Sequence, residues 1–178
     1  MYRSTAELET MLDGILAAPN DTGPIEMLVR RPSEGEREVV ESAELSSDYG
    51  LVGDNWVDRV GEDGEPHRQT QVTLMNSRAA DAVAVSRERW PLAGDQIYVD
   101  MDISHENLPA GSRIQVGTAV LEISEVPHTG CAKFASRFGK EALRFANVGV
   151  GKGNRFRGVN AFIVEPGSVR VGDKITKL

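Results

Sequence analysis

The chain has 178 residues, with 20 lysines and arginines against 27 aspartates and glutamates, and its net charge of −7 argues against a general nucleic-acid binder. Apolar residues make up 40%, enough for the core of one domain. The single cysteine excludes an internal disulfide, paired-cysteine zinc sites, iron–sulfur ligation and CxxC redox motifs within one chain.

The acidic, amphipathic start MYRSTAELETMLDG lacks the apolar run of a signal peptide. No stretch approaches the roughly 18 apolar residues of a membrane span. A cytoplasmic protein with no membrane and no nucleic-acid partner is expected. Ser4-Thr5-Ala6-Glu7 forms a capping box, and Leu8, Met11, Leu12, Ile15 and Leu16 follow at helical spacing, which predicts a short helix ending near Ala18. PNDTGP (Pro19–Pro24) reads as a linker, so residues 1–24 are expected to be a helix and linker ahead of one domain over 25–178.

Acidic, alternating residues from Ile25 to Leu45 predict strands with polar outer faces, and GLVGDNW and GEDGEPH predict turns. After those turns, RQTQVTLM (Arg68–Met75) alternates like a half-buried strand. Asn76 or Ser77 can cap a helix reaching Arg89, which Pro91 stops. DQIYVDMDI alternates again. RIQVGTAVLEISEV reads as a strand pair with Gly117 at a turn or bulge, and GKEALRFANV as a short helix. VNAFIVEPGSVRVGDKITKL predicts a terminal hairpin with Pro166-Gly167 in a type II turn. Short strands separated by turns, with few short helices, predict a mainly β fold, a barrel with peripheral helices.

Charge is unevenly placed. Between Cys131 and Gly158 stand Lys133, Arg137, Lys140, Arg144, Lys152, Arg155 and Arg157, against Glu141 alone. A solvated basic face is the plain reading of such a run. A lone cysteine is likewise most often a small buried hydrophobe. Cys131, however, follows a Thr129-Gly130 turn and has His128 and Lys133 close by, a setting that favours the thiolate, the form that binds soft metals and carries persulfide sulfur. His128 could serve as a base for that thiol. The three histidines, His67, His105 and His128, show no zinc-site spacing. GVGKGNRFRG fails as a Walker motif, because Gly153 follows Lys152 where Ser or Thr is needed; its glycines and arginines still suit close approach to an anion.

GLVGD, RQTQVTLM, LPAGSRIQVGTAVLEISEVPHTGC and RFRGVNAFIVEPGSVRVGD, in that order, resemble a MOSC domain, named from the C-terminal part of molybdenum-cofactor sulfurases. The resemblance runs from about Gly50 to the C-terminus. It implies a mostly antiparallel, pyruvate-kinase-barrel-like β-barrel that holds the molybdenum cofactor (molybdopterin), with Cys131 as the metal ligand and Thr129 contacting the cofactor. Arg68, Gln69 and Thr70 would line the pterin side. Gln96 stands where relatives often have asparagine, and Gly94 or Asp95 where they often have a basic residue, so Lys133, Arg155 or Arg157 would have to supply the missing charge, with His128 beside them. The activity implied is reduction of small N-hydroxylated compounds, with electrons from a separate reductase. Two alternatives stay open: a sulfur carrier using a Cys131 persulfide, and a non-catalytic pterin-binding module.

Overall fold

The computed structural model describes residues 2–178. Seven strands close into a barrel: β1 (Thr22–Arg30), β11 (Lys174–Lys177), β7 (Arg113–Val116), β8 (Ala119–Ile123), β9 (Val159–Glu165), β5 (Val72–Asn76) and β6 (Ile97–Val99), which returns to β1. Closure works because β1 is long enough to pair twice, through Gly23 opposite Ile175 of β11 and Leu28 opposite Ile97 of β6. A closed sheet leaves no edge in the barrel wall to aggregate. Every pairing is antiparallel except β5–β6, whose parallel register sets Leu74 opposite Ile97. The required crossover is made by α3 (Ser77–Ala84) and a 3-10 segment, Arg87–Ala93. β2 (Glu38–Val40) extends β1 as a hairpin, and β3 (Ser42–Ser46), β4 (Gly50–Leu51) and β10 (Gly167–Arg170) form a second small sheet.

Side-chain alternation sorts the apolar residues into two layers. Leu74, Ile97 and Val99 point into the barrel with Ile25, Ile114, Leu121 and Ile163. Their neighbours Met75 and Tyr98 point outward, to a second core made with Leu8, Ile15, Trp90, Phe134, Phe138 and Phe156. Both faces of β5 are therefore buried, and the half-solvated strand expected there is absent. The outer layer belongs to α1 (Thr5–Thr10), α2 (Leu12–Leu16), α4 (Ala132–Phe138), α5 (Lys140–Asn147) and α6 (Val150–Gly153) together with α3.

Several local expectations change. The capping box at Ser4 and Glu7 forms, but the helix breaks at Met11 into two pieces. Thr22–Pro24, read as linker, are the start of β1. Arg68–Thr70 form a 3-10 turn, and the strand starts at Val72. Asn76 caps α3, its Oδ1 accepting from the Ala79 N–H at 3.0 Å, but the helix ends at Ala84, because Val85 takes a positive φ; Pro91 lies inside the 3-10 segment. The C-terminal hairpin does not form. β10 leaves β9 to pair with β3, while β11 pairs with β7 and β1. Gly167 has no positive φ, so there is no type II turn; its missing Cβ instead makes room for the Ala119 nitrogen, which would lie 2.6 Å away. The GVGKGNRFRG stretch holds α6, with Gly151 pressed against the Phe145 carbonyl, rather than a loop open to an anion.

Candidate functional site

Cys131 is exposed and occupies the N-cap position of α4. The loop before it is fixed by two side chains. Asn147 on α5 accepts from the Gly130 N–H at 2.9 Å and donates to the Gly130 carbonyl at 3.0 Å. Asn160 donates to the Val126 carbonyl, and Ser124, which donates to Gln69 Oε1 at 2.8 Å, receives the Val126 N–H. The Cys131 thiol titrates below its ordinary value. The Phe134 N–H is the main cause, without a side-chain capping hydrogen bond; burial opposes it, and the Lys133 N–H and the charges of Arg157 and Lys133 each add less.

The thiol borders a cleft of about 1000 Å³ assembled from separate segments: the β1–β2 loop, the turn at 55–59, the 93–94 loop and residues 128–137, with Arg157 on its wall. Six cationic side chains line it (Arg31, Arg37, Arg59, Lys133, Arg137 and Arg157) against Glu34 and Asp58. Lys133 and Arg137 lie four apart on α4 and so share a face. Arg31 and Arg157 form the wall. Arg31 grips buried Asp54 through Nε at 2.7 Å and Nη2 at 2.8 Å, and donates to the Gly94 carbonyl at 2.9 Å. Arg157 donates to Asp95 at 2.5 Å and to the adjacent carbonyl, that of Ala93, at 3.0 Å, with its guanidinium over the Phe134 ring. Arg37, Arg59 and Arg137 bond to no carboxylate among the described residues. Lys133 meets Glu34 at 2.7 Å, an exposed pair worth little.

Asp95 is fully buried and bonds His128 Nε2 at 2.8 Å as well as Arg157. Burial opposes its ionisation, yet the Arg157 and His128 contacts outweigh it and hold the carboxyl down at about 2. His128 titrates below its ordinary value, chiefly through burial and then the Arg157 charge, which together exceed the pull of Asp95. Gly158 makes this packing possible: a Cβ there would lie 3.0 Å from both Asp95 Oδ1 and His128 Cδ2 and 2.5 Å from the Leu74 carbonyl. Two buried polar atoms on the cleft-lining residues, Arg157 Nε and Asn55 Oδ1, have no hydrogen-bond partner among the described residues.

Of the residues singled out in the sequence, Cys131, Thr129, His128, Lys133 and Arg157 come together in this cleft. Arg155 does not: it is buried and donates to the carbonyls of Leu108 and Ile103. Arg68 lies over the Phe162 ring, Thr70 bonds the His67 carbonyl, and Gln69 acts on the cleft only through the loop that Ser124 supports. Gln96 is buried, accepting from the Thr73 N–H at 2.8 Å. No three His, Cys, Asp or Glu side chains gather as a metal site among the described residues. Arg31, Arg37 and Arg59 were missed. The one signal for Arg31 was its place in the arginine pair that follows the apolar run Met27–Val29, and nothing local marked Arg37 or Arg59.

A small closed β-barrel, flanked by helices that carry one ionisable thiol beside a cationic cleft, is the class of protein this structure defines. The chain belongs to the MOSC domain family, which it matches over residues 67–176, more than half its length. Its fold is similar to that of the YuaD protein from Bacillus subtilis, at 19% identity and a TM-score of 0.61, over 86% of this chain and 94% of that one. It is also similar to YiiM from Escherichia coli (17% identity, TM-score 0.56, 88% and 69% covered) and YiiM from Geobacillus stearothermophilus (14%, 0.51, 90% and 74%). At these identities the likeness carries the fold alone. No curated protein matches the chain. No helix among the described residues is long and apolar enough to cross a membrane.

Proposed function

We propose that this protein binds the molybdenum cofactor, molybdopterin, in the cleft beside Cys131 and uses it to reduce small N-hydroxylated compounds. The observation that carries the reading is an exposed thiol, lowered toward its thiolate, on the edge of a cleft lined by six cations and two acids. The donor set suits the group: thiolate is a soft metal ligand, and arginines match a phosphate with paired N–H donors. The orphaned Arg157 Nε and Asn55 Oδ1 are a donor and an acceptor, both buried, on residues that line the cleft.

Cys131 would ligate the metal. Arg37, Arg59 and Arg137, which bond to no carboxylate among the described residues, would hold the phosphate, while Arg31 and Arg157, each tied to a carboxylate and a main-chain carbonyl, would keep the wall rigid. The cofactor, when bound, supplies two-electron oxygen-atom chemistry. Electrons would come from a separate reductase, since the sequence shows no flavin or nicotinamide fingerprint. The test is reduction of a hydroxylamino compound by the purified protein with a viologen radical as electron donor. Cys131→Ala should lower turnover at least ~100-fold, and equal turnover in the variant would overturn the assignment.

The exposure of Cys131 also favours a second reading, a sulfur carrier that presents a persulfide to a partner protein. It predicts cyanide-releasable sulfur on the wild type that is missing from Cys131→Ser.

A further inference from the structure

We propose that His128 is the residue that reads the substrate, its Nδ1 accepting a hydrogen bond from the hydroxyl hydrogen of the bound N-hydroxylated compound. The inference rests on the reading of the cleft as the substrate site.

The geometry fixes which ring nitrogen carries the proton. Asp95 is buried between the Arg157 guanidinium at 2.5 Å and the His128 ring at 2.8 Å, and an ionised carboxylate only accepts hydrogen bonds. Nε2 must then be the protonated nitrogen, so that neutral His128 carries its lone pair on Nδ1. The direction of Nδ1 follows from the packing of the opposite edge. Nε2 faces Asp95, and Cδ2 lies against Gly158, at 3.0 Å from where a Cβ would stand. Nδ1 lies across the ring from that inner edge. It has no hydrogen-bond partner among the described residues and is not among the buried unpartnered atoms, and the ring lines the cleft.

An uncharged ring acceptor contrasts with the six cations around it. The Arg and Lys side chains lining the cleft donate and cannot accept. Glu34 is engaged with Lys133 and Asn55 Oδ1 is buried, which leaves the Asp58 carboxylate and hydroxyls such as that of Thr129 among the other side-chain acceptors on the lining, and none of them belongs to a ring held in place by a buried ion pair. A bound compound finds in Nδ1 a partner for the one hydrogen that an N-hydroxyl group offers and its O-alkyl derivative lacks. The charged groups that act on the ring are Asp95, Arg157 and, further off, Arg31. Asp95 is thus a positioning residue, holding the ring and setting its tautomer.

The test compares N-hydroxyurea with N-methoxyurea by titration calorimetry, which needs no turnover, on protein from a host that makes the cofactor. The wild type should bind the hydroxyl compound about 10-fold more tightly, the worth of one hydrogen bond. His128→Gln places an amide near the Nε2 position and keeps the Asp95 contact, yet should bring the ratio close to 1. His128→Asn places its amide near Nδ1 and should restore part of the preference, which a merely structural role would not do. A ratio in His128→Gln equal to that of the wild type, or no preference in the wild type, overturns the proposal. Molybdenum content measured on the same samples keeps the two readings apart: a metal-free wild type defeats the cofactor assignment, while the binding ratio still reports on His128.

Discussion

Asn147 holds both main-chain groups of Gly130, one hydrogen bond to the N–H and one from the carbonyl, and so ties the residue before Cys131 to helix α5. Gly130 has to be small for this: a Cβ would fall 2.6 Å from Leu143 Cδ1 and 3.2 Å from Asn147 Nδ2. Asn147→Ala should cost about 1–3 kcal/mol in urea unfolding, since two partly buried backbone groups lose their partner. It should also move the pH midpoint of Cys131 alkylation upward, because the thiol then leaves its place over the N–H groups of α4.

In the wild type, iodoacetamide should react with Cys131 with a midpoint below the usual thiol value of about 8.5. Lys133→Met should raise that midpoint only slightly, since the main-chain N–H groups of Phe134 and Lys133 are the larger cause. A midpoint at or above the usual value would remove the thiolate from the account.

Stability should fall with acid in two stages. The folded-state pKa of His128 lies below its ordinary 6.5, so the unfolded chain takes up the proton first, and stability complete above that pH declines beneath it. Asp95 follows between its ordinary 3.8 and about 2, with about 2 kcal/mol at stake. Denaturant midpoints measured from pH 7 to pH 2 should show both stages, and Asp95→Asn should abolish the lower one.

Asp54→Ala should be strongly destabilising, by about 3–5 kcal/mol, because it leaves the buried Arg31 guanidinium uncompensated. It also strips the N–H groups of Arg31 and Trp56 of their acceptor. In thermal unfolding, the double variant Arg31→Met/Asp54→Leu should recover the part of the loss that comes from the uncompensated guanidinium, but not the part that comes from the two N–H groups. By contrast, Arg59→Ala, at an exposed residue with no carboxylate partner, should change the melting temperature little while lowering cofactor retention.

The barrel was legible because alternation in β7 and β8, with a turn at Gly117, is a local property of the sequence. The partners of β10 and β11 were not: Val169 pairs with Ala43 and Ile175 with Val116, and no neighbouring residue announces pairings over such separations. The site divides the same way. Lys133 and Arg157 could be placed beside Cys131 because they share its basic segment. That segment also misled, since Arg155, two residues from Arg157, turns inward to the Leu108 carbonyl. Arg31, Arg37 and Arg59 reach the cleft only once β1, its hairpin loop and the turn capped by Asp54 are folded against α4.

The most direct measurement is the molybdenum content of protein purified from a cofactor-producing host, wild type beside Cys131→Ser. The account predicts about one metal per chain in the wild type, with a single sulfur as its protein ligand, and near-total loss in the variant. A wild type without metal, or a serine variant that keeps it, would contradict the assignment of Cys131.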